Sequence, residues 1–189
     1  YVIFFFGIGI LIYSYFLYPL ILIALKRFFI QQSIISSELS EYVLPTVTIV
    51  IAAYNEETVI KKKLENSVVL NYPEDQLKIL VASDGSSDKT NDIVQKFANE
   101  HPQVSLLTLP RGGKSSAINV AIKKVESEIV VFSDANTEYH LDAIIRLVEP
   151  FFNPEIGSVC GSLIYRNPNN LISGEGESFY WRYETALKK

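Results

Sequence analysis

LKILVASDGSSDKT, residues 77 to 90, starts as an apolar run rich in branched side chains and stops abruptly at Ser83, Asp84 and Gly85. A polar turn then leads into an amphipathic helical pattern. A parallel strand buried on both faces reads as such a run, and open α/β sheets bind ligands at the carboxyl ends of their strands. The construction recurs twice. Val47 to Ala53 leads into Tyr54, Asn55 and Glu56, and Ile129 to Ser133 leads into Asp134, Ala135 and Asn136. Parallel strands share one carboxyl edge, so the three polar tips are expected to form a single acidic site.

Around these three strands the chain alternates strand and helix patterns. Pro45 closes the segment before the first strand and biases its neighbour toward extended backbone. A helix is expected from about Glu57 to Val69 and a second from about Asp88 to Asn99, with Ile93, Val94 and Phe97 on one face. Val104 to Leu109 reads as a further strand. Lys114 to Val125 reads as a helix with Ala117, Ile118, Ala121, Ile122 and Val125 inward. A helix from about Leu141 to Phe152 and a strand around Ser158 to Ile164 follow. Repeated βα units of this kind predict an α/β fold, a mostly parallel sheet with helices on both faces.

With 48% hydrophobic side chains in 189 residues, the chain can bury one packed domain and carry a smaller element besides. A net charge of −4 excludes a general nucleic-acid binder, which needs a basic face. Cys160 is the single cysteine, which excludes an internal disulfide; its apolar neighbours predict a buried, inert thiol. Tyr1 to Leu25 contains no charge, and a helix of that length exceeds a hydrocarbon core of about 30 Å. Residues 1–27 are therefore expected to form a transmembrane helix, with Pro19 as a point of kinking. Lys26 and Arg27 at its end place the following domain on the cytoplasmic side of the cell membrane. Residues 28–45 read as a juxtamembrane linker. The chain begins at Tyr1 and has no methionine, so the natural start is expected upstream. The aromatic helix pattern from Glu175, with Phe179, Tyr180, Trp181 and Tyr183, reads as packing surface or as a wall for sugar rings or membrane.

Glu56, Asp84, Asp88 and Asp134 can converge at the strand tips, where like charges about 4 Å apart repel by about 4 kcal/mol at an effective dielectric of 20. A hard divalent cation, Mg2+ or Mn2+, with oxygen ligands from carboxylates and substrate phosphates would offset them. Asp88 also reads as a helix cap. In PRGGKSSAIN, residues 110 to 119, Gly112 and Gly113 permit a tight turn. A helix amino terminus favours anions, and Arg111 and Lys114 add positive charge, so the segment suits phosphate. It is not a P-loop, because Thr108 occupies the position where that motif needs its first glycine. The first strand ends in Ala53, Tyr54 and Asn55 without G-x-G-x-x-G, which argues against a dehydrogenase.

VTIVIAAYNEE, VASDGSSDKT, GGKSSAIN and VVFSDANTEY, in this order and spacing, resemble the family 2 glycosyltransferases, whose catalytic domain has the GT-A fold. The later SVCGSLIYRN and FYWRYE are similar to the membrane-bound branch that includes hyaluronan, cellulose and poly-N-acetylglucosamine synthases. The resemblance implies a GT-A (Rossmann-like) domain over residues 46–189, incomplete at its carboxyl-terminal end. Ala53, Tyr54, Asn55 and Glu56 would hold the nucleoside of a sugar donor, and Asp84 would contact its base, usually uracil. Lys114 and Asn119 would support the diphosphate. Asp134 matches the first aspartate of the D-x-D signature beside ribose, diphosphate and metal. Asn136 stands at the second, with a carbonyl oxygen but no charge. The expected metal ligands are thus Asp134 and Asn136.

The resemblance further implies transfer from a nucleotide-sugar, usually a UDP-sugar, to a growing polysaccharide or other glycan acceptor, with membrane lipid as a partner. The general base of relatives comes from an acidic motif downstream of the aromatic helix, beyond Lys189. This chain is therefore expected to hold the donor half of the site and to be inactive alone. The competing expectation is a non-catalytic, membrane-tethered module that senses nucleotide. Sugar, acceptor, processivity and oligomeric state are not written in these residues.

Overall fold

A computed structural model describes residues 1–29 and 43–162. They belong to two compact units, an amino-terminal helical segment and a body spanning Ser36–Gly161. Most of the expected linker, the expected strand beyond Ser162 and the aromatic helix lie outside the described residues.

The amino-terminal segment runs as α1 (Val2–Ile12), one π-helical turn (Tyr13–Leu17) and α2 (Tyr18–Phe29). The π turn sits just before Pro19, which has no N–H to donate and whose ring crowds the carbonyl four residues back. A wider turn relieves that crowding, and the N–H of Tyr18 donates to Tyr13 O, five residues earlier. Val2–Leu22 has mean hydropathy 1.9 over 21 residues, long and apolar enough to cross a membrane. Among the described residues, 6% of its apolar window is buried.

In the body, four strands form one parallel sheet: β1 (Val47–Ala53), β2 (Leu77–Asp84), β3 (Val104–Leu109) and β4 (Ile129–Asp134). Their order is β3-β2-β1-β4. The chain steps outward from β1 through β2 to β3, then returns past β1 to place β4 on its other side. The strand order therefore reverses between β1 and β4, the position where open α/β sheets leave a crevice at their carboxyl ends. Register brings Ala53 beside Ser83 and Ala52 beside Asp134, so the polar tips lie level.

Parity along the strands sorts the core. Val47, Ile49 and Ile51 of β1, with Ile79 and Val81 of β2, face three helices: α3 (Ile60–Val68), α4 (Thr90–Glu100) and α6 (Ala143–Val148). Val50 and Ala82 face α5 (Lys114–Ile122) through Ala117 and Ala121. Successive strand residues point to opposite faces, so the continuous apolar runs supply both layers. The α5 layer is thinner. Ile122, expected inward, is 40% exposed because it ends the single helix found on that face among the described residues.

Several boundaries differ from the sequence reading for local reasons. α3 starts at Ile60, not Glu57, because the turn before it is tied to the neighbouring loop: Glu56 N–H donates to Thr90 Oγ1 at 2.8 Å and Glu57 N–H to Asp88 Oδ2 at 3.1 Å. α4 starts after Asp88, whose Oδ1 accepts from Thr90 N–H at 3.0 Å and Thr90 Oγ1 at 2.6 Å. The last expected helix shortens to α6 and a 3-10 turn, Glu149–Phe152, since Pro150 cannot donate to an α turn. Ser158–Ser162 forms no strand. Cys160 is accordingly exposed rather than buried, because the described part of that segment does not enter the sheet; its thiol contacts Gly161 O at 3.5 Å.

Candidate functional site

The carboxyl ends of β1, β2 and β4 and the loop from β3 to α5 enclose a cavity of about 370 Å3. Ala52, Ala53, Tyr54, Glu56, Asp84, Arg111, Lys114, Asp134, Ala135 and Asn136 line it. Its size is within the 300–1,000 Å3 usual for small-molecule sites. Asp84 and Asp134, 50 residues apart in sequence, thus share one wall system at the point where strand order reverses.

Each tip is held by a specific local device. Asn55 adopts φ 53°, a left-handed conformation that asparagine tolerates better than most residues. Its Oδ1 accepts from Ser87 N–H at 2.9 Å, and its N–H donates to Ser86 Oγ at 3.2 Å, so the β1 and β2 turns are stitched together. Gly85 has φ +67°, and a Cβ there would stand 2.8 Å from the Arg111 backbone nitrogen. That close approach lets the β3–α5 loop fold over the end of β2. Gly85→Ala is expected to cost about 1–3 kcal/mol through backbone strain and displacement of this loop, seen as a lower urea midpoint.

Asp84 is 2% exposed and organises the loop. Its carboxylate accepts from Gly112 N–H at 2.6 Å and Gly113 N–H at 2.8 Å, and it pairs with Arg111. The Gly112 N–H first, then the Gly113 N–H and the Arg111 guanidinium, hold its carboxyl below the ordinary value of 3.8 against the opposing effect of burial. The folded value is the lower one, so the stabilisation is complete above pH 3.8 and is lost as pH falls through the folded pKa. Asp84→Asn is expected to remove this part of the acid limb when unfolding free energy is followed against pH, leaving the slope above pH 5 unchanged.

Charge compensation comes from the protein itself. The acidic tips were expected to need a divalent cation to coexist, yet Arg111 serves Asp84 and Lys114 pairs with Asp134. The guanidinium also lies 3.5 Å from the centroid of the Tyr54 ring, a cation–π contact. Arg111, read from sequence as positive charge for phosphate, and the N–H groups of the two turn glycines are thus engaged by Asp84. Lys114 sits at the first position of α5, and both its side chain and that of Asp134 are more than half exposed. Asp88, fourth of the expected converging carboxylates, is turned away to its capping role. Burial alone would raise its carboxyl, but the Thr90 hydroxyl and the N–H groups of Thr90 and Glu57 lower it overall.

Of the sequence-derived donor residues, Ala53, Tyr54, Glu56, Asp84, Lys114 and Asp134 line the cavity, as does Asn136. Asn55 supports its rim without lining it. Asn119 is exposed on α5 and is not part of the lining. Ala52 and Ala135 carry no chemical signal and were not found from sequence; they matter because small side chains there leave the cavity open. Among the described residues no group of three metal-ligating side chains comes together. Asp134 and Asn136 nevertheless supply two accessible oxygens at one tip. That suits Mg2+ or Mn2+ if phosphate oxygens and water complete the shell, the usual mode for these hard ions.

A family model for glycosyl transferase family 2 matches residues 48–188. A probable glycosyltransferase of Bacillus subtilis, YdaM, is 37% identical over 123 residues, covering 62% of this chain and 29% of that protein. The poly-beta-1,6-N-acetyl-D-glucosamine synthase of Staphylococcus epidermidis is 32% identical, covering 67% of this chain and 30% of the synthase. The beta-monoglucosyldiacylglycerol synthase of Trichormus variabilis is 35% identical, covering 61% and 25%. The chain thus spans less than a third of the length of these curated relatives. Among solved structures, the mannosyltransferase PcManGT from Pyrobaculum calidifontis, in complex with GDP-Man and Mn2+, matches with TM-score 0.65 at 29% identity, over 77% of this chain and 43% of its own. The fold is GT-A, as the resemblance of its motifs implied, and the chain belongs to glycosyl transferase family 2.

Proposed function

We propose that the cavity binds the nucleoside diphosphate of a sugar donor, a UDP-sugar by preference. In this reading the chain is the donor-binding part of a membrane-anchored glycosyltransferase that faces the cytoplasm. The observation that carries this is the meeting of Asp84, Asp134 and Lys114 in one cavity at the reversal of strand order. Tyr54, a residue 43% exposed at the rim, is an aromatic side chain suited to a planar base. Asp134 and Asn136 would hold Mg2+ or Mn2+, which supplies Lewis-acid stabilisation of the departing diphosphate. Lys114, at the amino terminus of α5, places an ammonium and a helix dipole where negative charge grows as the bond to the anomeric carbon breaks.

The PcManGT complex with GDP-Man and Mn2+ supports a donor and metal of this class. The synthases of poly-beta-1,6-N-acetyl-D-glucosamine and beta-monoglucosyldiacylglycerol support a glycan or lipid acceptor. The apolar Val2–Leu22 helix, followed by Lys26 and Arg27, supports anchoring with the body on the cytoplasmic side.

Calorimetric titration of the purified chain with UDP, GDP and their sugars, with and without Mn2+, tests the proposal. A nucleoside diphosphate should bind in the micromolar to millimolar range and tighten at least about tenfold with Mn2+, a gain of about 1.4 kcal/mol. No binding of any of these would overturn it.

A further inference from the structure

Lys63 is a buried cation that the donor reading does not use. It lies on the inward stripe of α3, Ile60, Lys63, Leu64 and Ser67, and is 1% exposed. An aliphatic side chain of the same length would fill that space without desolvating a charge. The ammonium instead donates to Thr137 O at 2.9 Å, contacts Thr137 Oγ1 at 3.4 Å, and lies 4.0 Å from the centroid of the Tyr139 ring. Burial lowers its pKa to about 8, against the raising influence of Asp134 and Glu138.

The same helix grips the next two residues of that loop. Asn66 Nδ2 donates to Tyr139 O at 2.9 Å, and its Oδ1 accepts from Tyr139 N–H at 2.7 Å. Lys62 pairs with Glu138. Thr137 continues the chain of contacts to the cavity: its Oγ1 donates to Asp134 O at 2.9 Å and lies 3.1 Å from Ser133 Oγ. Two polar side chains of α3 therefore fix the backbone that follows Asp134 and Asn136, and one of them is a charge kept in the core.

We propose that Lys63, supported by Asn66, is a positioning residue that sets Asp134 and Asn136 for the donor's diphosphate by holding the Thr137–Tyr139 backbone. This rests on the cavity being a nucleoside-diphosphate site. Its value over a purely packing role is that the loop carrying the metal-ligand candidates is fixed before any ligand arrives, so binding does not have to order it.

The test compares wild type, Lys63→Met and Asn66→Ala for UDP and GDP binding with Mn2+, for thermal midpoint, and for amide exchange of residues 134–139 without ligand. Lys63→Met keeps the stem and removes the ammonium. The expected result is a midpoint within a few degrees of wild type or above it, faster exchange at residues 137–139, and affinity reduced about tenfold or more. Asn66→Ala is expected to speed the same exchange and weaken binding by about threefold or more, and it carries the test should Lys63→Met fail to fold. Wild type binding with both folded variants within twofold of it overturns the positioning role while leaving the donor site intact. No binding by wild type removes the donor site itself, and this role with it.

Discussion

Asp84→Ala is expected to unfold the β3–α5 loop from the sheet and to lower both stability and nucleotide affinity. The carboxylate is 2% exposed and takes the N–H groups of Gly112 and Gly113 together with the Arg111 guanidinium. Truncation removes the common acceptor of two backbone donors and one cation, and with it the charge-assisted bonds that hold the loop against the end of β2. Arg111 loses the partner that keeps it over Tyr54, and Lys114 loses the turn that starts α5. The thermal midpoint should fall by about 5 °C or more. Affinity for the preferred nucleoside diphosphate should fall by about 100-fold. Scanning calorimetry and isothermal titration check the two halves separately. An unchanged midpoint would show that the loop holds its place without Asp84.

Asp134→Ala should behave in the opposite way, leaving the fold alone and removing the metal-dependent part of binding. Its side chain is 53% exposed, and its ion pair with the equally open Lys114 is of the surface type that contributes about 0–1 kcal/mol. The midpoint is therefore expected to move by no more than about 3 °C. In wild type Mn2+ is expected to tighten nucleoside diphosphate binding, whereas in Asp134→Ala the titrations with and without Mn2+ should coincide, a loss of about 100-fold or less according to the size of the wild-type gain. Retention of the full Mn2+ effect would assign the ion to other ligands. Together the two substitutions separate a carboxylate that builds the site from one that serves it, although both end a strand in the same kind of sequence.

That separation was not legible in the sequence. Ser83-Asp84-Gly85 and Ser133-Asp134-Ala135 read alike, each an apolar run ending in a carboxylate. The difference arises because Gly85 permits the backbone of Arg111 to approach, with φ +67° and no Cβ to intervene, whereas the Asp134 side chain, followed by Ala135, is 53% exposed among the described residues. Likewise Lys63 carried a faint signal, a lysine at a core position of the Ile60, Leu64, Ser67 stripe. Its role needed Thr137 and Tyr139, more than 70 residues away, to be meaningful.

The sequence by itself determined the four strands of the sheet, their parallel pairing and the acidic carboxyl edge. These follow from short-range patterns: branched apolar runs bury on two faces, and intervening helices force each strand to run in the same direction. Only the tertiary structure decided which charges meet. Asp84 and Asp134 share one cavity, as their place at neighbouring strand tips led one to expect, but the fold alone places Arg111 on the first and Lys114 on the second. Electrostatic pairing depends on distances across the fold, and no local pattern in the chain encodes them.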